Sequence, residues 1–122
     1  MKTSNFRISG KNPNAVAISR GIPSWYKGKR LIELAPSREL MKVKDPGEYT
    51  WRYQSEVLSV LDAQEIKAKL DDNSILLCWE KPGEDCHRRL VAEWLEQELG
   101  IEVPELGQSK VRAVQPQMEL GE

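Results

Sequence analysis

Residues 75–95, ILLCWEKPGEDCHRRLVAEWL, run from Ile75 to Leu95 and carry the change of period that decides the fold. Ile75–Trp79 is a short unbroken apolar run, the pattern of a strand buried on both faces. Lys81–Asp85 is a polar loop with Pro82 and Gly83 as breakers. From Cys86 the period lengthens to that of a helix, predicted over 86–99 and closed by Gly100 as its C-terminal cap. On that helix Leu90, Val91, Trp94, Leu95 and Leu99 share one arc that should pack on a sheet. His87 projects from the same arc one turn earlier and is expected to point inward, toward the strand ends. Arg88 lies at the flank, and Arg89, Glu93 and Glu96 lie opposite, toward solvent. Glu98 falls on the apolar face, which the pattern does not explain.

Working outward, Thr3–Ile8 reads as a short strand ended by the turn formers of Ser9–Asn14. Ala15–Ser19 is a second compact apolar strand, stopped by Arg20-Gly21-Ile22-Pro23. Ser24–Arg30 is aromatic and basic, and Leu31–Met41 carries a short helix around Ser37–Leu40. Tyr49, Tyr53, Val57 and Leu61, with Leu58 alongside, recur as one face of an amphipathic helix from Gly47 onward. Asp62 followed by Glu65 is a helix-start pattern, with Ala63, Ile66 and Leu70 on one side and Asp71-Asp72-Asn73 as the exit. Ile101–Val103 is expected as a last short strand. Buried strands alternating with helices predict an α/β fold, a small mainly parallel sheet with helices on both faces in a Rossmann-like three-layer sandwich. The expected organisation is a single domain over 1–106 and a polar tail or extra strand over 107–122, the strand at Lys110–Val114.

Charge and composition narrow the classes. Eighteen Lys and Arg against nineteen Asp and Glu give a net charge of -1, so no global basic field announces nucleic acid. No apolar stretch approaches the roughly 20 residues of a membrane span, and Met1–Gly10 has no signal-peptide core, so a cytoplasmic protein without membrane contact is expected. Two cysteines in such a chain are expected as reduced thiols, a transient catalytic pair excepted.

In parallel sheets ligands bind where loops leave the C-terminal strand ends. Two such loops are visible, 20–28 and 81–85; if their strands are neighbours, Arg20 and Cys86-His87-Arg88 converge on one crevice. A helix start leaves backbone N–H groups unpaired and carries partial positive charge, so it attracts phosphate and favours a thiolate. The expected function is therefore binding of a phosphate-bearing, nucleotide-like or nucleic-acid-like ligand. Cys86 would be the nucleophile, His87 or Glu80 the proton carrier, and Arg20, Gly21, Arg88 and Cys78 ligand-binding positions. Glu84 and Asp85 oppose the thiolate, and the chain lacks a glycine-rich phosphate loop.

Four other readings compete. In a structural one, Cys78 and Cys86 are inert, His87 is a core histidine bonded to a backbone carbonyl, and Arg88 pairs with Glu80 or Glu84. Cys78 and Cys86 could instead be a redox couple, although the spacing is not a tight Cys-x-x-Cys gap. A zinc set of Cys78, Cys86 and His87 lacks a fourth ligand and is disfavoured, so neither metal nor cofactor is expected. Finally, Trp25-Tyr26-Lys27-Gly28-Lys29-Arg30 has the aromatic and basic content of a non-catalytic single-stranded nucleic-acid module, against which stands an exposed loop whose Trp25 covers the core edge.

Leu77-Cys78-Trp79-Glu80 followed by Cys86-His87-Arg88-Arg89-Leu90 resembles the domain-of-unknown-function family 488, with its Leu-Cys-x-Glu strand end and Cys-His-Arg helix start. Ser19-Arg20-Gly21-Ile22-Pro23 resembles that family's early strand-then-arginine turn, so the likeness extends from about the first strand to Glu105. It implies an α/β fold and a shared site of Cys78, Glu80, Cys86, His87, Arg88 and Arg20. It implies no settled activity.

Overall fold

Asn5 shows how the sequence cuts its strands short. In the computed structural model, which describes residues 1–79 and 87–106, β1 (Lys2–Asn5) is followed at once by a single turn of helix, α1 (Phe6–Ser9). The strand expected to run to Ile8 stops because the Asn5 side chain accepts the Ile8 N–H at 2.9 Å and caps that turn. Next come β2 (Ala15–Ala17), β3 (Lys29–Arg30), α2 (Pro46–Glu56), α3 (Ala63–Ala68), β4 (Ile75–Cys78) and α4 (His87–Leu99).

The caps explain the helices. Asp45 accepts the Glu48 N–H with Pro46 in the first turn of α2, and Asp62 accepts from Gln64 and Glu65 at the start of α3. The periodic face expected from Tyr49 to Leu61 does not form one helix. The backbone at Leu61 and Asp62 must be extended for Asp62 to cap α3, so α2 ends at Glu56 and Leu58–Val60 tightens into a 3-10 turn. Gly100 closes α4 at φ +69°, a left-handed conformation that glycine adopts without steric penalty.

The four strands form one parallel sheet in the order β1-β4-β2-β3. β4 lies between β1 and β2, with Asn5 opposite Cys78 and Val16 opposite Leu76, and all four of its residues are buried. This is the α/β architecture the apolar runs predicted, and the strands at 15 and 75 are neighbours. β3 was not foreseen, because two exposed basic residues carry no strand pattern; Lys29 and Arg30 pair along the edge of β2.

Alternation along the strands divides the core. Val16, Ile18 and Leu76 face Tyr53 of α2, Ile66 of α3 and Val91, Ala92 and Leu95 of α4. Ala15, Ala17, Ile75 and Leu77 face a smaller cluster with Phe6 and Tyr26. The three longer helices thus cover one face, and α1 and the loop after β2 cover the other.

The chain after α4 corrects two expectations. Ile101–Val103 is not a strand; the pairing falls on Glu105, which bridges Thr3 in parallel, with Thr3 N–H donating to the Pro104 carbonyl and Leu106 N–H to that of Thr3. Arg89 and Glu96, expected in solvent, hold this segment: Arg89 donates to the Val103 carbonyl at 2.8 Å and Glu96 accepts the Val103 N–H at 2.8 Å. Glu98, placed on the apolar face by the sequence, is exposed. Among the described residues no helix is long and apolar enough to cross a membrane. The loop 81–85, the strand expected at 110–114 and the tail 107–122 lie outside the described residues.

Candidate functional site

The C-terminal ends of β2 and β4 and the start of α4 meet at a buried polar cluster. His87 is buried, as its place on the apolar arc predicts, and its Nε2 lies 2.7 Å from the Ile18 carbonyl oxygen at the exit of β2. Its ring stands 5.4 Å from that of Tyr53, whose hydroxyl donates to the Leu34 carbonyl. Burial disfavours the imidazolium and the neighbouring Arg88 charge disfavours it further, outweighing the carbonyl that favours it. The His87 pKa falls to about 4. Near neutral pH the ring is uncharged, so its Nε2–H donates to Ile18.

Arg88, expected at the flank of the helix, is fully buried. Its Nε and Nη2 donate side-on to Glu105, at 3.0 Å to Oε1 and 2.7 Å to Oε2. Its Nη1 donates to Cys78 Sγ at 2.9 Å. Glu105 also accepts from the Thr3 hydroxyl at 2.5 Å, and Thr3 accepts from Arg89 at 2.9 Å. Burial alone would raise the Glu105 carboxyl pKa; the hydrogen bonds from Arg88 and Thr3 and the charges of Arg88 and Arg89 outweigh it and hold the carboxyl below its usual value. One chain of polar contacts therefore links the last strand residue, the first turn of α4 and the segment after it.

Glu105 and Thr3 were missed from the sequence. They lie 17 and 85 residues from Arg88, and no periodic pattern ties either to it. Two glutamates alternate with apolar residues in Ile101–Leu106, and nothing in that pattern singles out Glu105.

Cys78 is buried and bonded in a disulfide, against the expectation of reduced thiols. Glu80 and Cys86, the proposed proton carrier and nucleophile, lie outside the described residues. Arg20 is half-buried; its Nε donates to the Pro36 carbonyl at 2.7 Å, and its own carbonyl accepts from Arg30 at 2.8 Å. The exposed Gly21 offers its carbonyl to Ser19 and to Trp79 Nε1, the latter at 3.0 Å, tying the exits of β2 and β4 together.

The aromatic and basic stretch 25–30 is split by the fold. Tyr26 is buried with its hydroxyl on the Lys29 carbonyl, the Lys29 ammonium reaches the Lys69 carbonyl, and Arg30 is engaged with Arg20. Trp25 and Lys27 stay exposed.

This geometry constrains the chemistry. His87 has no charge to offer an anion near neutrality, and a phosphate arriving at α4 would find the Arg88 guanidinium already matched by a carboxylate. Beside that carboxylate, Arg88 Nη1 addresses the Cys78 sulfur. No curated protein and no solved structure matches this chain. A family model does: residues 9–99, well over half of the 122, match DUF488-N3a, described as the active DUF488-N3 subclade, and the chain belongs to that family.

Proposed function

We propose that this chain is an enzyme of thiol chemistry in which Cys78 and Cys86 work as a redox couple and Arg88 is the positioning residue for the Cys78 sulfur. The observation that carries this reading is the buried Arg88 Nη1, 2.9 Å from Cys78 Sγ. A fixed guanidinium stabilises a thiolate more than a neutral disulfide sulfur, so it favours the reduced state of the couple and makes Cys78 the better leaving group. The disulfide at Cys78 and the family's description as an active subclade support the same reading.

The exchange balances with an external dithiol as reductant. Its thiolate attacks Cys86, the Cys78–Cys86 bond breaks, and the electron pair leaves on Cys78 as a thiolate beside Arg88. The second thiol of the reductant, deprotonated, then displaces Cys86 from the mixed disulfide. Two electrons pass to the chain, Cys86 takes up one proton, the other goes to solvent because Cys78 stays a thiolate, and the reductant becomes a disulfide. Glu105 sets how much of the Arg88 charge reaches the sulfur.

Equilibration with glutathione buffers, read by thiol alkylation and mass, tests this. The double variant Arg88→Met/Glu105→Gln, which leaves no buried charge unpaired, should move the equilibrium about ten-fold toward the disulfide, about 30 mV for two electrons. Glu105→Gln alone should move it the other way. A disulfide that no dithiol reduces, or a potential blind to both substitutions, would overturn the proposal.

A further inference from the structure

We infer that the rim of the sheet carries a second site, unconnected with the thiol chemistry, that takes one nucleotide unit: a stacked base with its attached phosphate. Turns leaving β1, β2 and β4 enclose an open cleft of about 590 Å³ at the C-terminal strand ends, the edge where parallel sheets place their ligands. Buried Phe6 forms its floor, 5.1 Å from the Trp79 ring and 5.2 Å from that of Tyr26. Trp25, 42% exposed, and Trp79, 54% exposed, line its walls beside exposed Ile8. Arg7 and Lys11 lie on its border.

Two properties of these side chains point to the ligand. Large aromatic rings left half in water offer stacking surface that the protein's own core does not use. Arg7 and Lys11 are exposed and make no ion pair or side-chain hydrogen bond among the described residues; the Lys11 ammonium sits 5.6 Å from the centre of the Trp25 ring. Two exposed cations, one of them resting over the Trp25 ring, beside half-exposed Trp79 suit a flat heteroaromatic group that carries negative charge. The fold gathers this pattern from Phe6–Lys11, Pro23–Trp25 and Trp79, whereas Lys29 and Arg30, four and five residues after Trp25, are drawn away into β3.

The number of cations limits the length of the ligand. Two unmatched charges on a chain of net charge -1 match a single nucleotide, free or at an unpaired strand end, and not a long tracked strand. A one-phosphate contact at an unpaired strand end predicts a logarithmic salt slope of about -0.7, and a tracked strand would be steeper.

Adenosine monophosphate, inorganic phosphate, a short oligothymidylate and its duplex are titrated into the full chain at low salt, read by tryptophan quenching and by calorimetry. The expected result is saturable binding of the monophosphate at roughly millimolar concentration or below, no quenching by phosphate alone, and no binding of duplex. Oligothymidylate binding at the same affinity per site identifies strand ends as an alternative source of the same unit. Trp25→Ala should weaken binding about ten-fold. Arg7→Gln/Lys11→Gln should flatten the salt slope while leaving the disulfide equilibrium unchanged. If Trp25→Ala fails to fold, Trp25→Phe, which keeps an aromatic face, should retain most of the affinity. Absence of saturable binding by either base-bearing probe, a salt slope unaffected in the double variant, or equal affinity for phosphate alone would overturn the inference.

Discussion

Two polar regions lie at the same edge of the sheet and behave oppositely. At the start of α4 the charges face each other: Arg88 and Glu105 are both buried and matched, and His87 is uncharged. At the rim the charges face water: Arg7 and Lys11 are unmatched, and two tryptophans are half-exposed. The first region holds its residues in place; the second has interaction capacity to spare. A dense sequence motif thus marks where the fold is tied together, and the exposed aromatic cleft is assembled from residues that form no motif at all.

The largest effect that would sharpen the contrast comes from Arg88→Met alone. It leaves Glu105 buried without its partner and should cost about 3–5 kcal/mol, most of which returns when Glu105→Gln is added. Urea unfolding of the two variants checks this, and equal losses would show that the pair is not coupled.

His87 comes next. Its folded pKa of about 4 lies below its ordinary 6.5, so the unfolded chain binds a proton that the folded chain refuses as the pH falls. Stability from this group is complete above about pH 6.5 and is lost progressively toward pH 4, a change of about 3 kcal/mol. The Glu105 carboxyl, held below its ordinary 4.5, loses its contribution only below that pH. His87→Gln should remove the limb between pH 6.5 and 4 while leaving the one below it, as unfolding at stepped pH would show.

Gly10→Ala reaches from the backbone into the rim. A Cβ there would stand 2.4 Å from Cη2 of Trp25 and 2.5 Å from the Phe6 carbonyl oxygen, and only one of those is a movable ring. The expected cost is about 1–3 kcal/mol, with a changed Trp25 emission. Smallest of all, Arg7→Gln and Lys11→Gln should each shift stability by no more than about 0.5 kcal/mol, because both side chains are exposed and, among the described residues, the one contact between them and the fold is Lys11 over the Trp25 ring. A larger loss on thermal unfolding would erase the distinction between the two regions.

What could be read in advance follows the range of the forces involved. Asp62 capping α3 and Gly100 ending α4 act over a few residues, and both stand where the sequence placed them. The continuous apolar character of Ile75–Trp79 correctly marked a buried strand, which ends one residue earlier at Cys78 and leaves Trp79 exposed, and His87 was correctly turned inward by its helical arc. Arg88 was misplaced because its burial depends on Glu105, a partner brought in by tertiary structure alone. Arg89 and Glu96 looked solvated for the same reason, since the segment they hold carries no strand pattern. The pairing of Lys29 and Arg30 with β2 was invisible because an exposed two-residue edge strand is specified by its neighbour and not by its own side chains.

The position of β4 has a consequence for biosynthesis. Of the four strands β1 and β2 are made before β4 and do not touch each other; β2 can pair with β3 on one edge, but its other edge and β1 wait for β4, some seventy residues after β1. At about 5–20 residues per second the nascent chain spends several seconds with unzipped strand edges before the keystone arrives, the interval in which a chaperone would find it.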